Sequence, residues 1–229
     1  MAFDVYLLAF AKSLLFSLAT VLPILNPPGA APMFLSLTEG ATDAMRASLA
    51  ARVARNIFIM LMAAMLVGSL VLDFFGISLP IVRVGGGLLV ISAAWRLLSA
   101  DDSSNNASVK IAEAFTPEIG RRKAFYPLTF PISCGPGSLA AAITVGVSLH
   151  DASMALSGAR LIGAMFGIAL LSIIAFLCFR FAVQVLRPLG ETGTIVMLRM
   201  SAFILLCLGV QIVWDGASEL ILGILRRAA

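Results

Sequence analysis

Two short stretches could bind a solute without a single ionisable side chain. They are Asn26-Pro27-Pro28-Gly29 and Gly135-Pro136-Gly137, the second preceded by Ser133 and followed by Ser138. Both sit in strongly apolar runs, where proline and glycine in succession leave backbone N–H and C=O groups without helical partners, which is costly in hydrocarbon. Each stretch ends one half-helix, at about Leu25 and about Ser133, and starts another, at about Ala30 and about Ser138. A helix start offers N–H groups and a partial charge of about +0.5, suited to a carboxylate. A helix end offers carbonyls, suited to an ammonium group or a cation. A zwitterion, negative at one end and positive at the other, fits such a pair of poles. Asn26 adds an amide, and Thr129, Ser133 and Ser138 add hydroxyls. The opposing reading is that these prolines and glycines only shape kinks and allow close packing, although two related double breaks are harder to explain so than one.

Catalytic and ligating groups are otherwise thin. The one histidine, His150, lies 12 residues after Ser138, the best nucleophile. On one helix that is about 18 Å, far outside hydrogen-bond reach. Cys134, Cys178 and Cys207 fall in apolar runs with no metal or Cys-x-x-Cys spacing and read as small buried residues. No enzyme activity, metal or cofactor is expected. No Asp or Glu lies in the middle of a span, so proton coupling through a buried carboxylate has no candidate. If such a solute is transported, coupling would fall to a cation on backbone carbonyls, or the solute would run downhill by export. Arg83 and Arg199 stand near the starts of their spans, where a cation opposes the helix dipole. Either they hold freed carbonyls or a substrate carboxylate as gating residues, or they snorkel to the headgroups from about 6 Å of depth. Gln211 reads as packing between helices.

The elements that must position these residues follow from composition. Of 229 residues 60% are hydrophobic and 12% charged, about half the charged share of a soluble domain. Mean hydropathy is +1.03. The apolar runs predict an all-α polytopic membrane protein with six transmembrane helices, each run supplying the roughly 20 residues a crossing needs. Residues 1–11 read as an interfacial lead-in without a cleaved signal. The first span runs from Lys12 through its break to about Thr38, with a polar loop to Arg55. The others cover about 56–72, 80–98, 124–149 (broken), 161–183 and 195–214. Counting from Lys12 and Lys123, both breaks fall at about 20 Å of helix, near the bilayer middle.

Pro23 and Pro131, Pro28 and Pro136, and Gly29 and Gly137 are each 108 positions apart, and Arg83 and Arg199 occupy matching places. The chain therefore divides into a first three-helix repeat (1–99), a polar cytoplasmic linker (100–123) and a second repeat (124–229). Three being odd, the second copy inserts upside down. Loops after the first, third and fifth spans hold Arg46, Arg52, Arg55, Lys110, Arg121, Arg122, Lys123 and Arg187, against Arg160, Arg226 and Arg227 opposite. The richer side is cytoplasmic, which places both termini outside. The net charge of +4 reports on this orientation, not on nucleic acid.

Three motifs in this order resemble one family. They are Asn26-Pro27-Pro28-Gly29 with Pro32-Met33-Phe34-Leu35-Ser36-Leu37-Thr38, Phe75-Gly76-Ile77-Ser78-Leu79 leading into Arg83-Val84-Gly85-Gly86-Gly87-Leu88, and Pro127-Leu128 through Gly135-Pro136-Gly137. Over nearly its whole length the chain is similar to the MarC family of bacterial inner-membrane proteins, whose layout resembles the LysE superfamily of small-solute exporters. The resemblance implies a multi-pass protein of the inner membrane with a role in moving small neutral amino acids. It places the site on Asn26, Pro27, Pro28 and Gly29 and on Gly135, Pro136 and Gly137. The partners expected are a small-molecule solute and the lipid bilayer, with a homo-oligomer left open. The competing reading is a membrane scaffold or envelope-stress regulator with an idle site. A channel is disfavoured because no charge ring or carbonyl filter is visible.

Overall fold

The computed structural model describes residues 2–99, 117–149 and 153–228. Among them are nine α-helices, one π-helical and one 3-10 segment, and no strand. The first half comprises α1 (Ala2–Leu25), α2 (Pro27–Leu37), α3 (Asp43–Phe75) and α4 (Leu79–Leu98). The second half comprises α5 (Pro117–Lys123), the π-helical segment Ala124–Ser133, α6 (Pro136–Val147), α7 (Met154–Arg180), α8 (Ala182–Leu186), a 3-10 turn at Arg187–Leu189 and α9 (Gly190–Ala228).

Five helices are long and apolar enough to cross a bilayer, and the pair Gly120–Ser133 and Pro136–Val147, bent by 71°, makes a sixth crossing if counted as one broken span. These helices are apolar inside and out. Val53, Ile57 and Leu61 of α3 and Ile168, Leu171 and Ala175 of α7 are buried, whereas Leu70, Phe74, Phe166 and Ile173 of the same helices face outward. An outer surface of this kind suits lipid and not water.

Several sequence boundaries move. The expected lead-in at 1–11 is not separate, because α1 is helical from Ala2. The Arg-bearing stretch 43–55 is helix: Thr42 caps α3, its side chain accepting from the Met45 N–H at 3.3 Å, so α3 starts 13 residues before the expected span. It ends at Gly76, whose φ of 65° suits glycine. The sixth span and the tail form one helix, α9. The expected linker residues 100–116 and His150 lie outside the described residues, while 117–123 of that linker form α5.

Close backbone approach fixes the helix pairs. A Cβ on Gly163 would run into the Phe10 carbonyl and one on Gly167 into the Ser17 hydroxyl, so α7 lies directly on α1. One on Gly209 would stand 3.1 Å from the Gly87 carbonyl, joining α9 to α4. Small residues at such crossings let dispersion contacts replace the hydrophobic drive that lipid removes.

The pairings match in twos when α1, α2, α3 and α4 are equated with 124–133, α6, α7 and α9. The packing of α1 on α7 answers that of 124–133 on α3, and α3 on α6 answers α2 on α7. Likewise α4 on α6 answers α2 on α9.

Candidate functional site

The first break is built by arithmetic on donors. Asn26 adopts φ 42°, ψ 59°, which turns the chain out of α1, and its own N–H still reaches the Leu22 carbonyl at 2.9 Å. Pro27 and Pro28 have no N–H, so the Pro23 and Ile24 carbonyls lose the donors four residues on. The Gly29 N–H goes to the Asn26 side-chain oxygen at 3.2 Å and the Ala30 N–H to the Asn26 carbonyl at 3.1 Å. The Leu25 carbonyl is thereby left without its donor as well. At this break every N–H at the start of α2 is absent or taken, while three carbonyls at the end of α1 have no donor among the described residues.

The second break leaves donors free as well as acceptors, since no N–H among the described residues bonds the carbonyls of residues 130–134. Gly135 takes the cap position of α6 with no side-chain cap, and its carbonyl accepts from Leu139 at 3.2 Å. Pro136 has no N–H, and the Gly137 and Ser138 N–H groups find no acceptor among the described residues. Ser138 is buried, and its hydroxyl also has no partner among those residues. On the N-terminal side of this break the hydroxyls are committed. Thr129 donates to the Ala124 carbonyl at 2.6 Å and Ser133 to the Leu128 carbonyl at 2.7 Å. Each spans five residues and closes a π-type turn. Thr129 also accepts from the Asn56 amide of α3 at 3.3 Å. Asn56 was not expected near the site; a lone amide in an apolar run was its only signal.

The two breaks meet where the start of α6 packs on the end of α1. A Cβ on Gly137 would lie 3.4 Å from the Ile24 side chain and 3.6 Å from the Gly86 carbonyl, and would strike Val90. The start of α6 is thus seated beside the Ile24 side chain at the end of α1, against the glycine stretch of α4. The contact is close-packed. Leu25, Pro27, Gly29, Gly137 and Ser138 are buried; Asn26 and Gly135 are half-buried; Pro28 and Pro136 are exposed.

Two cavities lie to either side. One, lined in part by Lys12, Ser13, Ser148 and Arg160, is reached by α1 before its break and by the end of α6. The other, lined in part by Ser48, Arg52, Gly120 and Arg121, adjoins the start of α3 and α5, near the point where Lys123 donates to the Leu37 carbonyl closing α2. Each broken helix therefore runs from one cavity, through its break, toward the other.

The remaining candidates stand apart from the junction. Arg83 donates to Glu219 at 2.6 Å, tying α4 to α9, with 25% and 53% of the two side chains exposed. Arg199 is exposed on α9. Gln211, expected between helices, instead bonds Asp215 of its own helix at 2.8 Å.

Comparison with known proteins gives the class. A model described as MarC family integral membrane protein matches residues 11–221. The chain is 29% identical over 214 residues to inner membrane proteins named MarC from Escherichia coli (strain K12) and Shigella flexneri, covering 92% of this chain and 96% of each relative. No solved structure matches it. A chain matched from its first span to its last, with both breaks inside the match, belongs to the MarC family of integral membrane proteins.

Proposed function

We propose that this protein is a secondary carrier or exporter of a small neutral solute, most simply an amino acid, in the bacterial inner membrane. The observation that carries the reading is the junction of unlike poles. Two unpaired N–H groups and the Ser138 hydroxyl at the start of α6 adjoin α1, whose last three carbonyls have lost their donors. A carboxylate takes the first pole and an ammonium the second, so a zwitterion satisfies groups that otherwise stay unpaired in a medium without water. The location of this junction between two cavities supports alternating access from either side, and the paired helix contacts support an inverted duplication of 1–99 in 124–229. In this orientation both termini are periplasmic. Asn26, Pro27, Pro28 and Gly29 shape the cation-binding end, and Gly135, Pro136, Gly137 and Ser138 the anion-binding end. Ser133 holds the backbone in place, and Arg83 braces one mouth through Glu219.

One observation favours a non-transporting scaffold: the packing of Gly137 against Val90 leaves no space at the junction as it stands. Purified protein in liposomes, screened with labelled amino acids, separates the two. Saturable flux that disappears with Gly29→Leu plus Gly137→Leu supports the carrier. Flux that survives this double substitution removes the break from the mechanism, and no flux of any amino acid by the wild type leaves the scaffold.

A further inference from the structure

The two cavities are related to each other by the same interval as the breaks. Lys12 and Gly120, Ser13 and Arg121, Ser48 and Leu156, and Arg52 and Arg160 are each 108 positions apart, and all eight line one cavity or the other. The larger cavity, about 490 Å³, presents Lys12 and Arg160 with the hydroxyl of Ser13, while the Ser148 hydroxyl beside them already donates to the Val145 carbonyl at 2.7 Å. The smaller, about 290 Å³, presents Arg52 and Arg121 with the hydroxyl of Ser48. Duplication accounts for the shared place and the shared arginine. It does not account for the second cation, which comes from adjacent register positions, Lys12 in one half and Arg121, the counterpart of Ser13, in the other. The two halves thus reach one chemistry, two cations and a hydroxyl in a concave site, by different residues.

The cavities lie at opposite ends of the bundle. Ser148 of the larger follows Gly146, whose Cα packs on the Met65 carbonyl of α3, and Met65 is 13 residues beyond Arg52 of the smaller. Along a continuous helix that is about 20 Å. The wall of the larger cavity is apolar and turned outward, with Val5, Leu8 and Phe16 54%, 55% and 43% exposed.

We propose that each cavity binds the phosphate of an anionic phospholipid, one in each leaflet. A phosphodiester needs a localised positive charge and several donors, which the cation pairs and hydroxyls supply. The outward apolar wall gives the first acyl carbons a surface that a free anion would not use. Lipid held there sets a phosphate beside these cations, independently of whether a solute crosses the junction.

Native mass spectrometry of the purified chain tests this, with phosphatidylglycerol, phosphatidylcholine and inorganic phosphate as the three probes. Two phosphatidylglycerols are expected to be retained per chain. Lys12→Gln with Arg160→Gln, or Arg52→Gln with Arg121→Gln, is expected to remove one of the two and to weaken the affinity at that site about tenfold. The charge-keeping pair Lys12→Arg with Arg160→Lys is expected to retain both. Equal retention of phosphatidylcholine overturns the proposal, as does a fourfold Gln variant that still holds two phosphatidylglycerols. Inorganic phosphate binding as tightly as the lipid assigns the sites to a free anion and overturns the lipid assignment. The wild-type comparison of the two lipids decides the matter even if a variant fails to fold.

Discussion

Restoring the missing donors should heal the first break and stop transport. In Pro27→Ala with Pro28→Ala, two N–H groups become available four residues after the Pro23 and Ile24 carbonyls. Each new backbone hydrogen bond contributes about 1 kcal/mol net. Returning Asn26 from φ 42° to the helical region recovers about 1 kcal/mol more. Against this stands the lost Asn26 cap on the Gly29 N–H, also about 1 kcal/mol. The balance favours a continuous α1–α2 helix by about 2 kcal/mol, a shift of about 30-fold. The variant should therefore melt at or above the wild-type temperature while its bare carbonyl pole disappears. Flux of labelled amino acids into proteoliposomes, measured beside Tm in the same detergent, is the assay. A variant of unchanged or raised Tm that still transports at the wild-type rate would refute the claim that unpaired carbonyls form half of the site.

The other expectations separate residues that hold the fold from residues left free for a guest. Ser138→Ala should leave Tm within about 1 °C of wild type, because its hydroxyl has no partner to lose, while weakening solute binding several-fold by titration. Thr129→Val should do the opposite, costing about 1–3 kcal/mol in unfolding measurements because both the Ala124 carbonyl and the Asn56 amide lose a partner. Gly163→Leu should separate α1 from α7, since even a Cβ there meets the Phe10 carbonyl; loss of monodisperse protein on size-exclusion chromatography is the readout. In a double-mutant cycle, Arg83→Gln and Glu219→Gln should couple by less than about 1 kcal/mol, because Glu219 is more than half exposed and solvent screens the pair.

Much of the fold is legible in the chain because lipid makes the code simple: apolar length gives the crossings, and proline with glycine gives the breaks. The boundaries that moved were those where polarity and helicity part company. Arg46, Arg52 and Arg55 look like a loop by charge, yet nothing in 43–55 breaks a helix, and Thr42 with Asp43 is an ordinary helix start. The π-turns of 124–133 were not legible. They depend on Thr129 and Ser133 each reaching back five residues, whereas hydroxyls in an apolar run suggest a ligand when read one at a time. The Arg83–Glu219 pair was hidden for a plainer reason: its partners are 136 positions apart.

The deepest difference from the sequence lies in what the two breaks offer. From their residues they look equivalent, each with a start and an end, so each appears to supply both poles. Hydrogen-bond accounting separates them. At the first, one amide side chain folds over Gly29 and takes its N–H, leaving only acceptors. At the second, the cap position of α6 falls on Gly135, one residue past Cys134, the counterpart of Asn26 at the 108 interval, and glycine has no side chain with which to do the same. A single asparagine thus strips the free donors from one interruption, while the other keeps both donors and acceptors. Because the Ile24 side chain lies beside Gly137, the end with only acceptors adjoins the one with free donors. Gly135→Asn, which would cap α6 in the manner of the first break, should accordingly abolish solute binding by titration with little gain in Tm, because its Cβ would stand 3.1 Å from the Pro131 carbonyl.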